Sequence, residues 1–246
     1  MKKFWEIRAA KKDKTGELMV YGLITSAGGG VFGSDSDVTP KGFADGLKAL
    51  GDISTLNIYI NSHGGDPFAA HAIYSILKRH KAEKHVYVDG IAASAASMIA
   101  MAGDKVIMPI NSMIMVHLPR AVAMGTSEEI RKSADALDAV AESMAVLYTE
   151  KTGLSKDEIM SIMAEEVWYS AEEAVKKGFA DEIEQEMKVA ASLNANLLVV
   201  NGQEVDIQAF RNFPRDKISA RQEPAEDKAE QERQARLRRL LLRAQP

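Results

Sequence analysis

The chain has 246 residues, of which 46% are hydrophobic and 27% charged, and its formal net charge is −4. This is ordinary globular composition, and without a basic excess nothing in it points to nucleic acid. It contains no cysteine, which excludes disulfides, thiolate nucleophiles and thiolate-ligated metals. No cofactor is required by anything in the sequence. Histidine, the usual general base near neutral pH, occurs only at His63, His71, His80, His85 and His117.

The start, Met1 to Arg8, is positively charged but has no apolar core behind it, unlike a secretory signal. The weakly polar run Gly90 to Gly103 is shorter than the roughly 20 apolar residues that span a bilayer. The expectation is a cytosolic protein that makes no membrane contact. Residues 4–8 and 18–25 read as strands around a polar turn, and Asp37 to Leu50 reads as a helix with Pro40 near its start. A repeating rhythm of strand, glycine turn and helix follows. Ile53 to Ile60 predicts a strand, Gly64-Gly65 a turn, and Pro67 to His80 a helix with Phe68, Ala72, Ile76 and Leu77 on one face. His85 to Val88 predicts the next strand, broken at Gly90, and Ala92 to Ala102 a helix closed by Gly103. Short strands are expected at Lys105 to Met108 and Met113 to Val116. Such alternation implies an α/β fold with a mainly parallel core.

Three later helix starts carry a Ser or Thr cap with Glu three residues on, at Thr126/Glu129, Ser155/Glu158 and Ser170/Glu173. The first opens a long helix with apolar positions Ile130, Leu137, Val140, Met144 and Leu147, a stripe suited to packing on another element or another subunit. A short helix from Ala171 ends at Gly178 and leads to a strand through Phe179 and Ile183. Beyond residue 187 the apolar clusters at 197–200, Phe210 and Phe213 follow no long pattern. From Arg215 the chain is dense in Glu, Gln, Arg and Lys, and ends in a basic amphipathic stretch at 236–243. The domain reading is therefore a folded unit over 1–187 and a largely flexible extension over 188–246.

Four segments could carry chemistry. In Gly90-Ile91-Ala92-Ala93-Ser94-Ala95-Ala96-Ser97, a strand-to-helix junction can present a serine beside free backbone N–H groups and small neighbours. A tightly packed Ala/Ser core helix explains the same segment. His117 ends a strand and precedes Leu118-Pro119, a site suited either to a general base or to a structural histidine. Gly64-Gly65, before Asp66-Pro67, can expose backbone N–H groups to an oxyanion or a peptide, or be a tight turn with Asp66 as helix cap. Glu165-Glu166 is, by spacing alone, one acidic pair among 35 acidic residues.

Taken in order, Tyr59-Ile60-Asn61-Ser62-His63-Gly64-Gly65, Gly90-Ile91-Ala92-Ala93-Ser94, Ala102-Gly103-Asp104, Pro109 to His117, Ser170 to Ala174 and Gly178 to Asp181 resemble the Clp protease proteolytic-subunit (ClpP) family, most of all its phage head-maturation branch. The resemblance implies a crotonase-like ββα superhelix and a serine peptidase that itself needs no ATP. Its triad would be Ser94 as nucleophile, His117 as base and Glu166 as acid, with Glu165 as the fallback. Gly65 and Ala95 would donate to the oxyanion, while Gly64 and Asp66 would line the substrate. It further implies that the helix over about 126–151 is the protruding handle that pairs homo-oligomeric rings. Protein substrates are implied, capsid or scaffold proteins in an assembling prohead among them. His63 stands where the family usually has Pro, and Glu166 where it usually has Asp. Housekeeping degradation with an ATPase unfoldase is the alternative, and a crotonase-fold acyl-CoA enzyme is another. That group typically uses acidic catalysts and needs no Ser-His pair. A non-catalytic assembly protein would keep the fold and work through its tail.

Overall fold

The computed structural model describes residues 8–10, 14–26, 37–184, 191–194, 197–200 and 203–215. The chain forms two compact units, Met1–Phe213 and Pro214–Pro246. Only Pro214 and Arg215 of the second are among the described residues, so the architecture below is that of the first.

In chain order the elements are β1 (Arg8–Ala10), β2 (Thr15–Ile24), α1 (Pro40–Ala49), β3 (Thr55–Gly65), α2 (Pro67–Arg79), β4 (Glu83–Ala93) and α3 (Ala95–Ala100). Next come β5 (Lys105–Pro109), β6 (Met113–Val116), α4 (Ser127–Thr152), α5 (Lys156–Glu165), β7 (Val167–Ser170), α6 (Ala171–Lys177) and β8 (Glu182–Glu184). The last are β9 (Ala191–Asn194), β10 (Leu197–Val200), β11 (Gln203–Asp206) and a 3-10 turn at Ile207–Ala209.

The expected α/β fold with a mainly parallel core is present. The main sheet runs β1-β2-β3-β4-β5-β8, and β2 to β5 and β8 pair in parallel. Strand β4 is the pivot. Its first half, through Tyr87, pairs with β5, and its second half, Ile91 to Ala93, pairs with β6. The change of partner falls around Gly90, where the sequence predicted a break. The strand instead continues, and the predicted helix from Ala92 begins only at Ala95. Alanine's helix propensity at 92 and 93 is small beside the ladder that Ile91–Ala93 forms with Met113–Met115. Likewise β3 extends past Ile60 to Gly65, because Ser62 pairs with Ala92 while Gly64 and Gly65 pair with Leu23 and Ile24.

Val20, Leu56, Ile58, Ile60, Val86 and Val88 on β2 to β4 are fully buried in one core with residues of α1, α2 and α3, the helices that follow these strands. Each such side chain contributes about 1.5–3 kcal/mol. Every residue of α3 is buried, so small side chains are needed for it to lie close to the strands. All three expected capping boxes form, at Thr126/Glu129, Ser155/Glu158 and Ser170/Glu173. Helix α4 divides by environment. Its buried residues all lie from Ala141 on, and Ile130 in the first half is exposed.

Two expectations fall wholly or mostly outside the described residues: the strand at 4–8, of which Arg8 opens β1, and the basic stretch at 236–243. Within the extension expected to be largely flexible, β9, β10 and β11 form an antiparallel meander. Asn201-Gly202, which stands between the paired ends Val200 and Gln203, is the commonest two-residue hairpin signal.

Candidate active site

The site grows from the register of three strands. Because Ala93 of β4 lies opposite Met115 of β6, the chain leaving β4 arrives beside the end of β6. Ser94 N–H donates to Met115 O at 3.0 Å, which fixes the turn to β6. Antiparallel β7 then pairs Val167 with Val116, so one step further places Glu166 opposite His117. Nucleophile, base and acid candidates thus meet at the ends of β4, β6 and β7.

Ser94 has φ 54° and ψ −125°, a backbone conformation that L-residues rarely adopt. Such a strained strand-to-helix turn lifts the hydroxyl clear of the sheet. Its Oγ lies 2.7 Å from His117 Nε2. Ser97, one helical turn on, has its hydroxyl engaged inside the core. Its hydroxyl donates to Ser94 O at 2.7 Å and shares a hydrogen bond with the buried Tyr148 hydroxyl at 2.8 Å.

The Gly64-Gly65 pair packs against this turn. Gly64 has φ +101°, and a Cβ there would stand 2.6 Å from Ala93 O and 2.9 Å from Ala95 N. Gly65 has φ +144°, and a Cβ there would collide with the Ile24 carbonyl. A side chain at Gly64 would push β3 off the serine turn, and one at Gly65 would push it off β2. Gly64 N–H is used internally, donating to Ser62 Oγ at 3.1 Å. Ala95, as first residue of α3, has an N–H with no acceptor one turn back in its helix. Asp66, expected to line the substrate, spends its carboxylate as the N-cap of α2. It accepts from Phe68 N–H at 2.8 Å and Ala69 N–H at 3.4 Å, and also from the Ser26 hydroxyl.

His117 is buried, and burial lowers its pKa to about 4, helped by the Arg120 and Arg211 guanidiniums and opposed by Glu166. At neutral pH the ring is therefore uncharged, the form in which Nε2 can take a proton. Its Nδ1 has no hydrogen-bond partner among the described residues. Glu166 has a fully buried side chain, and its carboxylate is bound elsewhere. Oε2 accepts from Arg120, and Oε1 accepts from the backbone N–H of Asn212 at 2.8 Å. Glu166 itself holds φ 53° and ψ 74° as the left-handed C-cap of α5. Glu165 contributes only its carbonyl, which accepts from Asn212 Nδ2 at 2.5 Å.

Arg120 and Asn212 were not singled out from the sequence. Arg120 follows His117 by three residues, but no motif marks it. Asn212 sits 46 residues from Glu166 in the chain and joins it only through tertiary packing. Of the other histidines, His63 stands on β3 next to Gly64, where burial lowers its pKa, and the remaining three lie away from the turn. His71 bonds Ser143 at 2.9 Å, His80 Nδ1 accepts from Ala82 N–H at 3.2 Å, and His85 pairs with Glu83 at 3.0 Å.

A hydroxyl on a strained turn, bonded to a neutral imidazole and flanked by glycine backbone, is the arrangement by which proteins activate serine for nucleophilic attack. The Clp protease family model matches residues 46–187, more than half of the chain. The chain belongs to the Clp protease family. It is 30% identical over 131 residues to the ATP-dependent Clp protease proteolytic subunit of Deinococcus radiodurans, covering 52% of this chain and 64% of that one. It is 32% identical over 140 residues to proteolytic subunit 1 of Corynebacterium jeikeium, covering 56% and 74%. Against proteolytic subunit 2 of Treponema denticola it is 30% identical over 145 residues, covering 58% and 72%. The chain thus spans about two thirds of the length of these relatives. No helix among the described residues is long and apolar enough to cross a membrane.

Proposed function

We propose that the protein is a serine endopeptidase that cleaves proteins through an acyl-enzyme. The observation that carries this is the 2.7 Å contact between Ser94 Oγ and His117 Nε2 at the strained turn. In the reaction, Nε2 takes the hydroxyl proton as Oγ attacks the scissile carbonyl. The N–H groups of Gly65 and Ala95 hold the resulting oxyanion. His117 then protonates the leaving amine, and a water, deprotonated by the same nitrogen, releases the acyl group. Glu166 is the acid of the set. The backbone of Gly64 and Asp66 forms the edge on which an extended substrate lies.

The substrates are capsid or scaffold proteins processed during phage head assembly, with the enzyme acting as a homo-oligomeric ring in the infected cytoplasm or within the prohead. The similarity of the 59–117 motifs to that branch supports this reading. So does the exposed apolar position Ile130 in the first half of α4, which suits an interface between copies. The relatives' names favour a second reading, a peptidase partnered with an ATPase. The test is co-expression of the wild type and Ser94→Ala with candidate capsid proteins, read by mass spectrometry. Specific truncations made only by the wild type are expected. Intact capsid proteins alongside general loss of unfolded substrate in the presence of an unfoldase would move the assignment to the second reading, and a fluorophosphonate adduct absent from Ser94 would end the peptidase reading.

A further inference from the structure

The segment after β11 reaches back to the site although it lies outside the residues the family shares. Phe210 and Phe213 both meet the Trp168 ring edge to face, with centroids 5.1 and 5.0 Å away. Trp168 is two residues from Glu166, on the strand that ends opposite His117. Between the two phenyl anchors, Arg211 donates to Ala164 O at 3.3 Å, and Asn212 donates its backbone N–H to Glu166 and its side-chain amide to Glu165 O. The segment is therefore a strap pinned on both sides of the C-cap that carries Glu166.

The strap acts on the site in two ways. It occupies Glu166 Oε1, while Arg120 occupies Oε2. It also brings the Arg211 guanidinium close enough to oppose a positive charge on His117. Acylation needs that charge, because the imidazolium forms as Ser94 gives up its proton. An acid that should orient Nδ1 and stabilise the imidazolium is held by other donors, and Nδ1 has no partner among the described residues.

Resting on the peptidase reading above, we propose that Asn212 is a positioning residue: carried on the Phe210–Phe213 strap, it holds the Glu166 carboxylate off His117 Nδ1, and release of the strap completes the triad. Release removes one donor from Glu166 and one cation from the neighbourhood of His117. The carboxylate can then turn to Nδ1–H, which fixes the tautomer that leaves Nε2 free to accept the serine proton. The groups facing the imidazole are Arg120 from the loop after β6, Glu166 from the C-cap of α5, and Arg211 from the strap.

The test is the second-order rate of fluorophosphonate labelling at Ser94 in the full chain across pH 5–9. Two releasing variants are compared with the parent, Phe210→Ala/Phe213→Ala and Asn212→Pro, each with and without Glu166→Gln. Asn212→Pro removes both donors of an exposed residue, the N–H to Glu166 and the side-chain amide to Glu165 O, and leaves the phenyl anchors in place, so it decides the matter if loss of both anchors prevents folding. Release is expected to raise the rate roughly tenfold. The acid limb should move to higher pH as the carboxylate reaches the imidazole, and Glu166→Gln should cost the released variants several-fold more than it costs the parent. A rate that falls or stays level on release, in folded protein, overturns the strap's role while the parent still labels. No adduct in any variant overturns the peptidase reading itself, and the strap's role with it.

Discussion

Ser94 and His117 are placed by paired strands, whereas Glu166 stands on a left-handed helix cap and is held by groups from two separate loops. On the first side, the ladder of β4 with β6 and the bond from Ser94 N–H to Met115 O leave little freedom. The strand residues Ile91–Ala93 and Met113–Val116 that carry them are all buried. On the second side, the position of the carboxylate depends on Arg120, which is partly exposed, and on Asn212 in a strap near the end of the compact unit. One half of the site is therefore fixed by the fold, and the other is set by contacts that can be gained and lost separately. Under the proposed peptidase mechanism, that difference makes the acid the member open to regulation.

The largest effects should come from the strand-held side. Ser94→Ala and His117→Gln are each expected to lower peptide hydrolysis at least ~10³-fold with an unchanged circular dichroism spectrum, since the members of such a set act as a unit. A comparable loss from neither variant would show that the serine turn is structural. Next is the glycine wall. Gly65→Ala forces a Cβ toward the Ile24 carbonyl at φ +144°. It should lower the melting temperature, at a cost of about 2 kcal/mol or more, and reduce turnover by ~10²-fold through the displaced oxyanion donor.

The pH responses separate the two sides more finely. Arg120→Gln removes a cation that disfavours imidazolium, so the folded pKa of His117 should rise and the acid limb of Ser94 labelling should move to higher pH. An unmoved limb would mean that Arg120 does not face the imidazole in solution. The lowered pKa also has a stability consequence. With an ordinary value near 6.5 when unfolded and about 4 when folded, His117 favours the native state fully above pH 6.5 and loses that contribution as pH falls toward 4. The loss is at most ~3 kcal/mol. His117→Gln should accordingly flatten the fall in melting temperature over that window. The smallest effect on activity belongs to Ser97→Ala. It should leave labelling of Ser94 essentially intact and cost about 1–3 kcal/mol, because it removes the bond to Ser94 O and the bond of the buried Tyr148 hydroxyl.

The strand-held side was also the legible side. Gly64-Gly65, Gly90 through Ser94 and the strand ending at His117 each stand out as local patterns, and their order along the chain carried the resemblance, although β3 and β4 run on through the glycines read as a turn and a break. The capping boxes were legible for the same reason, since a cap depends on residues three apart. What failed was the exact handover at Ser94. Its positive φ is imposed by strand pairing, and no local propensity for it exists in Ala-Ala-Ser-Ala-Ala. The surroundings of Glu166 were hidden by distance. Its left-handed backbone looks like any other Glu in the sequence, and Asn212 has no periodic relation to it. The meander at 191–206 is a different case. Asn201-Gly202 offered a hairpin signal, but the strands around it are short and give little alternation to read.

Helix α4 has one more consequence. Residues 127–140 form about 20 Å of helix in which no residue is fully buried. Local devices stabilise it, chiefly the Thr126/Glu129 capping box and the ion pair of Lys132 with Glu128 at 2.8 Å. Such devices are worth a few tenths of a kcal/mol to about 1 kcal/mol each, which is marginal for a helix without packing. If the partner of Ile130 and its stripe is a second copy, order in this half obeys mass action. Dilution would then fray the helix before any core residue is exposed, and the amides of 127–140 would exchange hydrogen at a rate that reports how much of the protein is assembled.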